Sequence, residues 1–473
     1  MTTIKPLIRS QTGRALCLLS LALWGLAGCS ATPVPPLTAS LPDVWQNAPA
    51  PVRTPQPALQ QWWHAFNDPA LDALVEQALR NNLEVAAAVQ RLRATRLLSQ
   101  HSSSAYLPSL GINTRDAISP DTSTSYFLVG FDAQWELPLF GMREGVDRLA
   151  QGNLAWQESE LRTVQVSLVA EVCRNWIELR AAQQGLASLG AIRDTQREKL
   201  ELLLVRERLK LASASQVSAA RGALDQAEMA LTRPRQQINR KVRQLAVLLA
   251  RSQPDPAWLQ PGPVPQLGAW QLGNVPADLL RTRPEISAAE AQVIIAAGNL
   301  GISRADVYPH ISLGSSLQWS LNVASNRRHA RSGNSIFSFG PGINLPLFDW
   351  GQRIASAQAR DHELQAALLA YRQSVLEGGA EVETALGDLE QLRLREQSSR
   401  QSQAAAEAHL EARQQQLRLG LLSRLELDGA RVAGLRAQQQ VDSASAERGI
   451  AYVALYKALG GAALPVVAAT EVE

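Results

Sequence analysis

The sequence predicts a mainly α-helical fold with a transmembrane β-barrel portion, built from two tandem repeats. Three observations predict it: motifs that recur in order, two very long tracts without proline, and two pairs of segments in which apolar and polar residues alternate. At 473 residues the chain could hold about three average domains. Its uniform composition, with 5% aromatic residues, favours one extended helical body over several globules.

The first residues have the features of a targeting segment. Lys5, Arg9 and Arg14 precede an apolar run, residues 15–26, that is too short for a typical transmembrane helix. Residues 1–28 are therefore predicted to be a signal peptide. The following Leu26-Ala27-Gly28-Cys29 resembles the bacterial lipobox, which implies cleavage before Cys29 and a covalent lipid on its thiol. Ser30, where an Asp would signal inner-membrane retention, favours the outer membrane.

Removal of this segment changes the charge and the cysteine count. The full chain carries +3, and residues 1–28 hold three basic and no acidic residues, so the remainder is formally neutral. Electrostatics therefore gives no reason to expect nucleic acid as a partner. Cys173 is the one cysteine left unmodified, which excludes an internal disulfide, and it is expected to be a small buried helix residue. Residues 29–68, rich in proline, are predicted to form an extended lipidated tether.

The repeats are predicted to cover residues 69–267 and 268–461, with a tail over 462–473. Leu137-Pro138-Leu139-Phe140 recurs 208 positions later as Leu345-Pro346-Leu347-Phe348, and residues 208–212 match residues 416–420 at the same spacing. Upstream, Glu84 and Pro108 match Glu285 and Pro309 at a spacing of 201. Four matches in one order indicate a duplicated unit rather than chance.

Each repeat is predicted to begin with a helix, Leu71–Ser99 and Ala277–Ser303, of which the first starts at the capping pair Asp68-Pro69. Two strands then follow in each repeat, over residues 109–115 and 125–137, and over residues 310–321 and 335–345. Phe131, Ala133 and Trp135 illustrate the apolar face of such a strand, and the residues between them are polar.

These strands have the length of transmembrane β-strands, about 9–11 residues. A soluble sheet with one face on a core predicts the same alternation, so the strands alone leave both readings open. Four strands cannot close a barrel, and lipid does not tolerate open sheet edges. If the strands lie in a membrane, three chains are expected to form a trimeric 12-stranded β-barrel, with Trp135 and Trp319 in an interfacial aromatic girdle.

After each strand pair comes a tract without proline, from residue 139 to 233 and from 347 to 464, with coiled-coil periodicity. A helix from Met142 to Leu211 would be roughly 100 Å long at about 1.5 Å per residue. Small and serine residues interrupt each tract, near 211–215 and near 419–423, which predicts two helical hairpins. Pro234 is expected to kink the return helix of the first hairpin only.

Several motifs together resemble the TolC-like outer-membrane efflux proteins, and the lipobox places the chain in their OprM- and NodT-like lipoprotein branch. The resemblance covers residues 61–461. Its opening motif includes Trp63, Phe66, Asp68-Pro69 and Asn81-Asn82-Leu83, and its second repeat starts at Arg283-Pro284-Glu285-Ile286. The C-terminal motif is Tyr456-Lys457-Ala458-Leu459-Gly460-Gly461.

The resemblance implies a homotrimer in which the long coiled-coil helices form a periplasmic α-barrel below the β-barrel. It also implies a periplasmic adaptor (membrane fusion protein) and an inner-membrane pump of the resistance–nodulation–division or another type as partners. The adaptor would dock at the hairpin tips, for which the candidates are Leu419, Gly420, Leu421, Leu211, Ala212 and Ser213. The periplasmic aperture candidates are Arg424 as an ion-pair clamp, Glu426, and Asp428 as a pore-facing ring.

The expected function is therefore an outer-membrane channel that gives passive exit to substrates of a tripartite efflux system. One alternative keeps the channel but assigns it to type I protein secretion, and another is a periplasmic coiled-coil lipoprotein without a pore. An enzyme is not expected, because the six histidines lack metal-ligand spacing and no phosphate-binding glycine loop occurs. No metal and no cofactor beyond the lipid on Cys29 are predicted.

Overall fold

The structure is a computed structural model that describes residues 35–37, 45–47, 59–117, 126–267, 283–322 and 334–461. The predicted signal peptide, Cys29, most of the tether, the predicted helix start at Ala277 and the tail over 462–473 lie outside these residues. The chain divides into two compact units. The sheet unit comprises Met1–Thr38, Arg93–Trp156 and Ala289–Arg372, and the helical unit comprises Ala39–Leu92, Gln157–Ala288 and Gln373–Glu473.

The first predicted helix is present but divided into α1 (Pro69–Asn81) and α2 (Leu83–Gln100). Asp68 caps α1 by accepting hydrogen bonds from the backbone N–H groups of Ala70 and Leu71. Asn82, with extended backbone dihedral angles, ends α1 and accepts from the N–H groups of Glu84 and Val85. The prediction of one continuous helix was therefore wrong at Asn82, because its side chain starts a new helix.

The two long helices are equal in length. Helix α3 (Met142–Arg208) and helix α7 (Gln352–Arg418) each contain 67 residues. The two helices start 210 positions apart and end 210 positions apart. The motif matches in the sequence at either end of these helices, by contrast, have a spacing of 208. Strand β2 (Tyr126–Glu136) and strand β4 (Asn334–Asn344) end 208 positions apart. The second repeat therefore has two extra residues in the connection between its last strand and its long helix.

The return helices differ between the two hairpins. The first consists of α4 (Ala214–Ala230) and α5 (Thr232–Leu248), which are separated at Leu231. The second is the continuous helix α8 (Arg424–Ala458). Pro234 lies in the first turn of α5, where its missing N–H and its ring prevent the α4 hydrogen-bond pattern from continuing. The first return helix is interrupted next to Pro234 and the second is continuous, which agrees with the proline occurring in the first hairpin only.

Between the hairpins lies α6 (Pro284–Ala305), the counterpart of α2 in the second repeat. It is the one described helix that is long and apolar enough to cross a membrane. Packing in the sheet unit explains this apolar character. Val293, Ala297 and Leu300 form a buried cluster with Leu364 of α7, and on another side glycines bring α6 close to α3. The composition of α6 is therefore that of a helix packed between two others.

The close contact between α3 and α6 depends on glycines, which have no side chain. A Cβ added at Gly298 would lie 2.8 Å from the carbonyl oxygen of Gly145 and 2.8 Å from the nitrogen of Leu149. A Cβ at Gly152 would lie 2.7 Å from Cγ1 of Ile295. These separations are shorter than any relaxed contact, so only glycine allows the two backbones to approach this closely.

The helical unit joins the motifs at the two ends of the chain. Trp62 stacks on Tyr456 with ring centroids 5.4 Å apart, and the hydroxyl of Tyr452 donates to the carbonyl of Trp62 at 3.0 Å. Phe66 packs edge-on against Tyr452 at 5.4 Å. The indole N–H of Trp176 in α3 donates to Asp68 at 2.7 Å. The opening and closing motifs are therefore parts of one aromatic core.

The start of the second repeat belongs to this unit as well. The buried guanidinium of Arg283 donates to the carbonyl of Gly378 at 3.2 Å and to Glu381. Gly460 has φ +86°, and a Cβ there would lie 3.0 Å from Cα of Arg283. Cys173 is fully buried, as the sequence predicted, and burial raises the pKa of its thiol.

Candidate functional site

Four antiparallel strands form one sheet in the order β1-β2-β3-β4. They are β1 (Ser109–Ala117), β2 (Tyr126–Glu136), β3 (His310–Asn322) and β4 (Asn334–Asn344). All four predicted strands are present, with bounds shifted by at most two residues. The pairing of β2 with β3 joins the first repeat to the second.

Register places most of the large apolar residues of the four strands on one face. Phe131 pairs with Ile112 on one side and with Leu317 on the other, and Leu317 pairs with Phe337. The rings of Phe131 and Trp319 meet edge to face with centroids 6.1 Å apart. The exposed members of this face include Leu110, Ile112, Phe131, Trp319, Phe337, Phe339 and Ile343. The predicted alternation is confirmed for these residues.

The opposite face consists mainly of polar residues and glycines. The amide of Asn113 donates to Asp132 at 3.3 Å, and the hydroxyls of Ser316 and Ser338 are 2.7 Å apart. Five glycines also lie on this face, Gly111, Gly130, Gly314, Gly340 and Gly342, and its two large aliphatic residues are Leu128 and Ile336. A sheet with one lipid-compatible face and one water-compatible face suits the wall of an aqueous pore.

The two tryptophans lie at different levels of the sheet. Trp135 pairs with Leu313, and Trp319 lies six residues further along the same strand, which corresponds to about 20 Å at about 3.3 Å per residue. The indole N–H of Trp135 donates to the carbonyl of Tyr106 at 2.6 Å. This separation approaches the height of about 25 Å expected for an apolar membrane band.

Both hairpin tips have the same backbone turn. Gly420 has φ +70°, and Lys210, which is 210 positions earlier, has φ +61°. Leu211 donates its N–H to the carbonyl of Arg206 at 2.7 Å, and Leu421 donates to Gln416 at 2.9 Å. The first tip has no glycine at this turn, but Lys210 adopts the left-handed conformation that Gly420 adopts in the second tip.

Each tip exposes two leucines, one before and one after that turn residue. They are Leu209 and Leu211 on the first tip, and Leu419 and Leu421 on the second. The helices that follow begin with related caps. Ser213 and Gln216 bond reciprocally at 3.3 and 3.0 Å. Glu426 accepts from the N–H and the hydroxyl of Ser423 at 2.9 and 2.8 Å, and these bonds lower the pKa of its exposed carboxyl.

Next to these tips, α8 packs on the first hairpin. Leu425 contacts the buried cluster of Leu203, Val217 and Ala220. Arg424 lies 3.7 Å from Glu198 of α3, and Arg431 lies 3.4 Å from the same carboxylate. Arg424 is thus an ion-pair partner within the chain. Its side chain is 64% exposed, and exposed ion pairs contribute about 0–1 kcal/mol, so the contact can break at little cost.

Asp428 differs from the sequence-based expectation in its orientation. It is only 2% exposed in the single chain, and its Oδ2 atom is buried without a hydrogen-bond partner. Burial raises the pKa of Asp428 and Glu198 raises it further, whereas Arg431 and Arg424 lower it. Asp428 was expected to form a pore-facing ring, whereas in the single chain it lies on the packed side of α8.

Reasoning from the sequence missed Glu198 and Arg431. No local pattern identifies them, because their contact joins residues more than 200 positions apart on α3 and α8. Lys210 was also missed, although aligning the repeats at 210 would have placed it opposite Gly420. Within the residues that the structure describes, no group of three or more His, Cys, Asp and Glu side chains is arranged to bind a metal.

Comparison with known proteins agrees with this geometry. The family model described as outer membrane efflux protein matches residues 74–251 and 275–461. The pyoverdine export outer membrane protein OpmQ of Pseudomonas aeruginosa is 29% identical over 462 residues, covering 92% of this chain and 94% of OpmQ. The probable efflux pump outer membrane protein TtgC of Pseudomonas putida is 29% identical over 468 residues, covering 94% and 95% of the two chains.

Solved structures show the same fold. The outer-membrane channel OprN matches with a TM-score of 0.78 and 26% identity, covering 92% of this chain and 99% of OprN. CusC matches with a TM-score of 0.73 and 21% identity, covering 89% of this chain and 98% of CusC. Because the family model spans both repeats, each with its strand pair and long hairpin, the chain belongs to the outer membrane efflux protein family.

Proposed function

We propose that three copies of this chain form an outer-membrane channel, through which an inner-membrane pump expels substrates by way of a periplasmic adaptor. The observation that carries the proposal is the four-stranded sheet, with a largely apolar face in register across every strand and a mainly polar opposite face. A non-pore coiled-coil lipoprotein would not need such a sheet. The named relatives with export or efflux functions support efflux over protein secretion.

Trimerisation follows from the open edges of the sheet. Among the described residues β1 and β4 each have one neighbouring strand, so each has unpaired backbone groups along its other side. In lipid each unpaired backbone group costs several kcal/mol, and a β-sheet avoids that cost only by closing into a barrel. Three chains with four strands each would close twelve strands around a polar interior.

The function is tested by reconstituting the purified full-length protein in planar bilayers. We expect a trimer in detergent, measured by light scattering, and discrete single-channel conductance steps in the bilayer. A monomer that binds lipid but never conducts would contradict the channel. A monomer that remains in the aqueous phase would contradict membrane insertion as well.

The hairpin tips are the proposed adaptor-docking surfaces. Leu209, Leu211, Leu419 and Leu421 are exposed although they are large and apolar, and such residues on a soluble end favour a protein partner. Because both tips share one turn geometry, with Lys210 in place of glycine, we propose that both dock the adaptor. Leu211, Ala212 and Ser213 then correspond to Leu421, Leu422 and Ser423 rather than to Leu419, Gly420 and Leu421.

Lipid attachment at Cys29 is proposed from the lipobox alone. A thiol-linked diacylglycerol with an N-terminal acyl chain would bury three chains, enough for stable anchoring. Replacing Cys29 with alanine is expected to abolish incorporation of labelled palmitate into the protein. Incorporation at the wild-type level in that variant would refute the assignment. The matched control is Cys17→Ala, which changes the cysteine inside the predicted signal peptide and should retain the label.

Arg424 is proposed to hold the aperture closed through its contact with Glu198 of α3. This ion pair links α8 to the first hairpin beside the tip, where a closed channel would be narrowest. Arg424→Ser should raise the single-channel conductance of the isolated trimer. Arg418→Ser, an exposed arginine at the end of α7, is the control and should leave conductance unchanged. Equal conductance in both variants would remove Arg424 from the aperture.

A further inference from the structure

In the part of the chain that the structure describes, the outer edges of β1 and β4 are unpaired, and a cluster of large apolar residues is exposed where β4 leads into α7. Trp350 is 89% exposed, and Leu347 and Phe348 lie beside it on the surface. We infer that a second copy of this chain covers both features in one specific register, with Ile343 of one copy paired with Ile112 of the next. This inference rests on the trimer proposed above and specifies the contact between its subunits.

The internal repeat supplies the geometry. Helices α2 and α6 start at Leu83 and Pro284, and strands β1 and β3 start at Ser109 and His310, both 201 positions apart. Strands β2 and β4 end 208 positions apart. The contact of β2 with β3 joins the first repeat to the second within the chain. A contact of β4 with the β1 of another copy would join the second repeat to the first, and would complete the same pattern.

Applying these spacings to the internal register predicts the register between copies. Within the chain Trp135 pairs with Leu313. Ile343 is 208 positions after Trp135, and Ile112 is 201 positions before Leu313, so these two isoleucines take the equivalent places. They are 69% and 65% exposed in the single chain and lie on the apolar face of the sheet. By the same rule Pro341 faces Thr114, and Asn344 faces Gly111.

The helices next to the strands support the same partner. Phe140 and Trp350 occupy equivalent turns, since each has a left-handed φ, +57° and +58°, and each precedes a glycine of positive φ. Within the chain Phe140 stacks on Tyr308 at 4.8 Å. The residue 201 positions before Tyr308 is Leu107, which is 64% exposed. Trp350 of one copy is therefore placed to pack on Leu107 of the next.

The contact of α7 in one copy with α2 in the next should be wider than the contact of α3 with α6 inside one chain. In α2 the position equivalent to Gly298 is Leu97, an exposed leucine, and in α7 the position equivalent to Gly145 is Ala355. Two glycines are thus replaced by residues with side chains. The longer connection before α7 supplies Trp350 and its neighbours to fill the added space. Lipid alone would not need this matched set of residues on both edges.

Cysteine cross-linking tests the register in the full-length protein. Paired residues in an antiparallel sheet have Cα atoms about 4.5–5.5 Å apart, within the range that a disulfide bridges. The double variant Ile112→Cys, Ile343→Cys should form covalent dimers and trimers on mild oxidation, seen on a denaturing gel and lost on reduction. Each single variant should remain monomeric on that gel, because Cys173 is fully buried.

An off-register pair is the matched control. Thr114→Cys with Ile343→Cys places the thiols on the same face but two residues out of register, where Cα atoms are about 7–8 Å apart. Stronger cross-linking of this pair than of the predicted one would overturn the register. If neither pair cross-links while light scattering still finds a trimer, this inference fails and the proposed function stands. If light scattering finds no trimer at all, the proposed function fails too.

Discussion

The close approach of α3 and α6 makes Gly298 a position where the smallest possible substitution should be costly. A Cβ at Gly298 would meet three atoms, the oxygen of Gly145 and the nitrogen and Cα of Leu149, at 2.8, 2.8 and 3.1 Å. All three are backbone atoms, so no side-chain rotation can relieve the overlap. Gly298→Ala must therefore move one helix away from the other.

The magnitude follows from two opposing terms. Replacing glycine by alanine inside a helix stabilises by about 1 kcal/mol, whereas overpacking a close contact costs about 1–3 kcal/mol. Because the contact is backbone against backbone, we expect the upper end of the packing cost. The net loss should be about 2 kcal/mol per subunit.

The assay is a guanidinium titration of detergent-solubilised protein, followed by helical circular dichroism at constant protein concentration, since assembly couples to stability. Gly222→Ala is the matched control, because a Cβ at that exposed position of α4 meets nothing within 4 Å. We expect a lower midpoint for Gly298→Ala and an equal or higher one for Gly222→Ala. A Gly298→Ala midpoint at or above the wild type would refute the packing argument.

Two further predictions concern the tips. Lys210 has a left-handed φ that costs an ordinary residue about 1–2 kcal/mol, so Lys210→Gly should slow amide exchange around residues 205–217, whereas Leu211→Gly should not. Asp428 has a folded-state pKa above its ordinary value of 3.8. A carboxyl whose pKa is raised by folding favours the folded state when it is protonated. This contribution is fully present at pH values below the pKa of the unfolded state, and it is lost as pH rises through the folded-state pKa of Asp428. The thermal midpoint of the wild type should therefore fall relative to Asp428→Asn between acidic and neutral pH, and parallel curves for the two proteins would refute this.

The repeats, the strands and the long helices could all be predicted from local pattern. The strand pairs follow from alternation of apolar and polar residues, and the long helices follow from tracts without proline. The motif matches also placed the chain in its family. These features depend on residues close together in sequence, so a single chain is enough to reveal them.

Tip geometry was predicted less well, because it depends on backbone conformation. Residues 208–212 match residues 416–420 in sequence, which would make Lys210 equivalent to Arg418. In the structure Lys210 instead occupies the turn position that Gly420 occupies in the second tip, two residues further on. The two extra residues lie before α7, and the motif comparison could not locate them. A lysine in a left-handed turn gives no signal in the sequence, since most lysines avoid that conformation.

The sequence by itself determined the fold class, the duplication, the sheet with its two chemically different faces and the family. Only the tertiary structure decided which side chains meet across the helices: Glu198 with Arg424 and Arg431, Asp428 against the packed side of α8, and Gly298 against Gly145. The physical reason is the separation along the sequence of the residues that interact. Hydrogen-bond ladders and amphipathic periodicity depend on neighbours along the chain, whereas helix packing depends on the rotation and spacing of helices that are distant in sequence.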